Sequence, residues 1–141
     1  MTVLVYLNDV SNGGETIFPL AGASASLKSA ANDLVSNGIH HTHDQPTNKR
    51  LEAALKLVNA QAERAARDEC GLKVAPKRGA ACVFYTMGPS GAVDPNSFHY
   101  GSSITKACAG KWTLQFFKEL PTEFRSQAGR ARYAKQVHPL A

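Results

Sequence analysis

A chain of 141 residues with a 43% hydrophobic fraction is long enough for one domain with its own core. Sixteen Lys and Arg against eleven Asp and Glu leave a formal charge of +5, but the basic side chains are scattered except near the C-terminus and give little support to nucleic-acid binding. No apolar run reaches the roughly 18 to 20 residues of a membrane helix, the start lacks the basic opening of a secretory signal, and Cys70, Cys82 and Cys108, with no CxxC spacing, indicate neither a closed disulfide framework nor a zinc site.

Thr2 to Leu7 is a short run rich in β-branched and aromatic residues, ended by Asn8-Asp9 and Gly13-Gly14, which predicts a buried strand and a turn. Alternation puts Leu4, Tyr6 and Asn8 on one face of it. Glu15 to Phe18 predicts a second short strand, stopped by Pro19. From Leu20 to about Asn48 the sequence is mostly Ala, Ser, Asn and Gly, a surface excursion in which Leu27, Ala30, Ala31, Leu34 and Val35 allow one short helix. Thr47 to Arg67 predicts the clearest helix: Leu51, Leu55, Val58, Ala62 and Ala65 or Ala66 recur at three-to-four spacing, and Gly71 is available to stop it. Its apolar stripe has to dock on something.

Leu72 to Ala75 resumes strand character, Pro76 to Gly79 is a turn, and Ala80 to Tyr85 is an apolar strand. Met87 to Pro95 reads as a loop, and Ser97 to Lys106 and Lys111 to Phe117 as two further strands joined around Ala109-Gly110. The tail 121–141 is basic and poor in large apolar residues, which sets it apart from the core. Several short strands with one helical insertion point to an all-β sandwich or barrel rather than alternating βαβ units. A chain that opens inside an apolar strand reads as cut.

Four strings in order, TVLVYLNDVSNGGETIFP at 2–19, CGLKVAPKRGAACVFY at 70–85, DPNSFHYG at 94–101 and GKW at 110–112, resemble the catalytic domain of the prolyl 4-hydroxylase family of iron(II)/2-oxoglutarate dioxygenases. The match runs from Thr2 to about Phe117, with 20–69 as the main insertion. It implies a mainly β fold, a double-stranded β-helix or jelly-roll truncated at its N-terminus, with a helical insertion around 47–67. The partial domain would occupy 1–120 and the basic tail 121–141.

In that family two His and one carboxylate hold the iron and leave positions open for 2-oxoglutarate and O₂. His99 matches the second of those histidines; outside such a setting an isolated histidine is usually a packing or surface residue. Lys111 matches the lysine that neutralises the distal carboxylate of 2-oxoglutarate, although KACAGK implies a turn two residues longer than the family pattern. Tyr6 matches a strand tyrosine that reaches the same carboxylate. Trp112 and Phe117 are expected to be packing residues. The first two ligands, an HxD pair, belong to a strand upstream of TVLVYLNDV, and no HxD occurs in the sequence. The cluster His40-His41-Thr42-His43-Asp44 is rich in donors but lies in the insertion, where solvent exposure or surface metal scavenging is its expected role.

The resemblance implies hydroxylation of peptidyl proline with Fe(II), 2-oxoglutarate and ascorbate, acting on a proline-containing peptide or protein in the endoplasmic reticulum or secretory pathway. With one metal ligand, the chain alone is expected to be inactive, and an open sheet edge predicts self-association. The alternative is a non-catalytic jelly-roll binding module. A nucleic-acid-binding role rests only on the charge and the FRSQAGRARYAKQ tail, which lacks stacking aromatics set among the basic residues.

Overall fold

The computed structural model describes residues 1–39, 44–88, 91–104 and 110–119. They form six short strands, two α-helices and one 3₁₀ turn at Pro95–Ser97. In one antiparallel sheet β1 (Thr2–Tyr6) is central, flanked by β4 (Ala81–Phe84) and β6 (Thr113–Phe117). In the other, β2 (Thr16–Phe18) is central, flanked by β3 (Leu72–Val74) and β5 (Tyr100–Gly101). The chain crosses between sheets after β1, β3, β4 and β5.

Register decides which side chains meet between the sheets. Thr2, Leu4 and Tyr6 are buried on β1 while Val3 and Val5 are half-buried, and residues directly opposite in a ladder share a face. Leu4 lies opposite Cys82 and Gln115, and Thr2 opposite Phe84, so Tyr6, Cys82 and Phe84 look inward together. The edge-to-face pair Phe18–Phe84, with centroids 5.2 Å apart, ties the inner faces to each other.

All three residues of β2 are buried, which requires cover on both faces. Thr16 and Phe18 meet the first sheet, and Ile17, opposite Tyr100, points the other way toward the helices. α1 (Ala25–Ser36) and α2 (Lys49–Ala66) pair around Leu34, Ile39, Leu51 and Ala54. Ser24 caps α1 by accepting from Leu27 N, and Asn48 caps α2 by accepting from Leu51 N. The segment after Leu20 is therefore half of a helical hairpin with its own small core, not only a surface excursion. The sequence lacks large apolar residues there because small Ala and Leu faces suffice when two helices pack on each other.

Other expectations shift in detail. α2 ends at Ala66 with Arg67 as its C-cap, and Asp68 takes the left-handed conformation (φ 63°). Gly71 instead serves the entry to β3, where a Cβ would stand 2.8 Å from the Phe18 carbonyl oxygen. The strand expected over 97–106 begins as the 3₁₀ turn, because Asp94 accepts from Asn96 N and the Ser97 hydroxyl donates to the Asp94 carbonyl. Of its described residues only Tyr100–Gly101 pair as β5, and Ile104 bridges to Gly13. Trp112 and Phe117, 63% and 67% exposed, do not pack into the core, since Trp112 lies on the outer side and Phe117 ends the edge strand. Cys70 and Cys82 are free thiols; Cys108, like the tail 121–141, lies outside the described residues. No helix among the described residues is long and apolar enough to cross a membrane.

Candidate functional site

Tyr6, Thr16 and Lys111 converge between the sheets. Tyr6 is fully buried, and its hydroxyl donates to Thr16 Oγ1 at 2.8 Å. Lys111 Nζ donates to the same oxygen at 3.2 Å and stands 5.3 Å from the centroid of the Tyr6 ring, within cation–π range. Burial pushes the Lys111 ammonium below the usual lysine range, with the Glu15 carboxylate pulling it back up. Burial raises the Tyr6 phenol, against the opposing hydrogen bond to Thr16. Among the described ion pairs none involves Lys111. The result is a partly desolvated cation with hydroxyls beside it, suited to a carboxylate.

Asn8 places that lysine. Its Oδ1 accepts from Trp112 N at 2.8 Å, its Nδ2 donates to the Gly110 carbonyl at 2.8 Å, and Leu7 N donates to the Trp112 carbonyl at 2.9 Å. The amide thus extends the β1–β6 ladder past its end and brackets Lys111 on both sides.

His99 sits one residue before β5. Its Nδ1 lies 2.8 Å from the Ser97 carbonyl oxygen. A carbonyl only accepts, so the neutral ring carries its proton on Nδ1 and keeps a lone pair on Nε2, the form a metal takes. The imidazole packs against Phe84 at 4.7 Å and Phe18 at 5.6 Å between centroids, while the residue as a whole remains exposed. Beside these rings an apolar cleft of about 250 Å³ is lined in part by Leu72, Tyr85, Asp94 and Ser97.

β2 links the two halves. Thr16, which holds Lys111 and Tyr6, and Phe18, which supports His99, are two residues apart on one face, about 6.6 Å along an extended strand. Neither stands out in the sequence beyond its strand pattern, and Asn8 reads there only as a turn former. Among the described residues no group of three or more His, Cys, Asp or Glu could hold a metal, and His40, His41 and His43 lie outside those residues.

Two antiparallel sheets thus bring Lys111, Thr16 and Tyr6 to one point between them and hold the His99 imidazole by its Nδ1. No family model matches the chain. Curated relatives do: it is 31% identical to prolyl 4-hydroxylase 5 of Arabidopsis thaliana over 112 residues, covering 79% of this chain and 28% of that protein. It is likewise 31% identical to the transmembrane prolyl 4-hydroxylase of Homo sapiens over 146 residues, covering 100% of this chain and 24% of the relative. The chain belongs to the prolyl 4-hydroxylase family, and it spans about a quarter of the length of these relatives.

Proposed function

We propose that this chain is the C-terminal part of an Fe(II)/2-oxoglutarate-dependent prolyl 4-hydroxylase domain, built on a jelly-roll whose two layers are the β4-β1-β6 and β3-β2-β5 sheets. The observation that carries this reading is the convergence of Lys111, Thr16 and Tyr6 on one buried point, together with His99 on the neighbouring stretch of the same inner space. Repeated crossing of the chain between two facing sheets supports the jelly-roll.

The cradle fits the distal carboxylate of 2-oxoglutarate. Lys111 supplies the charge. The Thr16 hydroxyl accepts from both Lys111 and Tyr6, which leaves its own O–H to donate to the ligand. Tyr6 thus acts on the carboxylate through Thr16 rather than by direct contact. Phe18 and Phe84 give the space beside His99 an apolar wall. For iron the fit is partial: His99 offers one neutral nitrogen, and among the described residues no group of three or more His, Cys, Asp or Glu could hold a metal. When bound, iron and 2-oxoglutarate supply the oxidising chemistry that hydroxylates C4 of a peptidyl proline, with ascorbate keeping the metal reduced. This chain's own residues bind and orient the dicarboxylate and offer one ligand.

The proline-containing peptide would run along the cleft beside Leu72 and Tyr85. A transmembrane relative supports placement in the secretory pathway. That the sequence contains no HxD pair favours a second reading for the chain by itself, a non-catalytic jelly-roll binding module. Calorimetric titration with 2-oxoglutarate and with glutarate tests the cradle. Binding of both, abolished by Lys111→Met, is expected, and unchanged binding in that variant would overturn the cradle. Succinate release from the isolated chain supplied with iron and a proline-rich peptide is expected to be absent, and its detection would remove the second reading.

A further inference from the structure

The helical hairpin touches both ends of the short segment that carries His99. Before it, α1 packs against the 3₁₀ turn at Pro95–Ser97, whose Ser97 carbonyl holds the imidazole Nδ1. After it, the Tyr100 hydroxyl donates to the Ala62 carbonyl of α2 at 2.9 Å, across 38 residues. α2 is itself fastened to the second sheet by the buried Gln61, whose Nε2 donates to the Pro19 carbonyl at 3.0 Å.

This fastening matters because the sheet alone holds the segment weakly. β5 is two residues long and, in the described sheet, lies at an edge; it pairs with β2 through Thr16 with Gly101 and Ile17 with Tyr100, and the further ties, Ser102 N to the Glu15 carbonyl at 2.9 Å and the Ile104 bridge to Gly13, all lie on the far side of it from His99. So short an edge strand frays readily. Neighbouring side chains on an extended backbone point to opposite faces, and the contacts obey that rule: Tyr100 reaches outward to α2 while His99 lies inward on Phe84 and Phe18. A rotation of the backbone that releases one therefore swings the other.

We propose that the insertion acts as a positioning device for His99, with Tyr100 as its key. The Tyr100 bond to α2 sets the rotation of the segment, keeps Nδ1 on the Ser97 carbonyl and so presents Nε2 to the space between the sheets. Tyr100 is a positioning residue and touches no ligand. The consequence for metal binding rests on the reading of His99 given above; the orientation of the ring does not.

The test uses the full chain with ¹⁵N-labelled histidine and Tyr100→Phe, which keeps the ring and removes the hydroxyl. In the metal-free wild type the His99 nitrogens are expected to show a protonated Nδ1 and an unprotonated Nε2, and in the variant their shifts should move toward the average of the two tautomers. His99-dependent Fe(II) affinity, measured anaerobically, is expected to fall about tenfold, as for loss of an outer-shell partner, while glutarate affinity at Lys111 stays within twofold. Gln61→Leu, which loosens α2 from Pro19, should move the His99 signals in the same direction and serves if Tyr100→Phe folds poorly. Unchanged His99 shifts in both variants would overturn the proposal, and so would a parallel loss of glutarate affinity, which marks general loosening. A wild type whose Fe(II) affinity is indifferent to His99→Ala overturns the metal reading instead, and the tautomer measurement still decides this one.

Discussion

Thr16 Oγ1 accepts a hydrogen bond from Lys111 Nζ at 3.2 Å while already accepting one from the buried Tyr6 hydroxyl. A threonine hydroxyl has two acceptor positions and one donor, so both acceptor positions are filled and only the proton is left to offer. Thr16→Val keeps the shape and removes all three bonds. The expected result is a roughly tenfold loss of glutarate affinity, about 1.4 kcal/mol, read by calorimetry. A second cost appears without ligand, because the buried Tyr6 hydroxyl loses its partner, and thermal or denaturant unfolding should show a loss of about 1–3 kcal/mol. Tyr6→Phe combined with Thr16→Val should recover part of that loss, since no orphaned hydroxyl remains.

The lowered Lys111 ammonium predicts an alkaline limit on anion binding. Desolvation is the larger cause of the shift, and a docked carboxylate reverses it by stabilising the charged form. Affinity for glutarate should be flat until pH reaches the depressed lysine value and then decline by up to about tenfold per pH unit. Tyr6, shifted upward, stays protonated as that decline begins. The free protein shows the opposite trend. A lysine whose folded pKa lies below its unfolded one binds fewer protons when folded, so its contribution to stability rises with pH between the two values. Lys111→Met should flatten the stability profile, measured by denaturant midpoints across the alkaline range, and leave no glutarate binding to titrate.

Much of the site is legible in the sequence because strand alternation and the ordered strings act on short range. Tyr6 and Leu4 fall on the inner face as their spacing requires, and Lys111 lies beside Tyr6. Thr16 is not legible, since its role depends on β2 lying opposite β1, which is a matter of sheet stacking. Asn8 escapes for a related reason: a turn-forming residue becomes a clasp only when the chain 102 residues later returns beside it. The helical hairpin is half visible. Periodicity finds α2, but the pairing of α1 with α2 relies on a few small residues and caps, and the dependence of the His99 segment on α2 arises only from the fold.

The outward face of the first sheet predicts association. Val83, Leu114 and Phe116 are about half exposed and lie on the side away from Tyr6, and β4 and β6 are the outer strands of the described sheet. An apolar face bounded by open ladders invites pairing with another chain. Sedimentation velocity is expected to show concentration-dependent dimers or larger species at micromolar protein. Phe116→Lys should shift the distribution toward monomer with little change in the unfolding midpoint, because that side chain adds little to the core. A wild type that stays monodisperse and monomeric would defeat this prediction.

Gly13 joins the turn after β1 to the chain that follows β5, and it does so by direct backbone approach. Its φ is +78°, and a Cβ there would lie 2.0 Å from the Ser103 carbonyl oxygen, at the bridge that pairs Gly13 with Ile104. No rotamer relieves a clash between Cβ and backbone, so Gly13→Ala must open the bridge. Gly22 supplies the control, since it has nearly the same φ, +74°, and nothing within 4 Å of a built Cβ. Gly22→Ala is therefore expected to cost about 1–2 kcal/mol, the ordinary penalty of a left-handed L-residue, and Gly13→Ala clearly more. The difference between the two denaturant midpoints isolates the close approach from backbone strain. Because the bridge ties the turn that follows Tyr6 to the chain beyond β5, only Gly13→Ala should also weaken glutarate binding. Equal costs for the two variants would mean that the turn can move away from Ser103 freely, and that the inner space is not closed at this end.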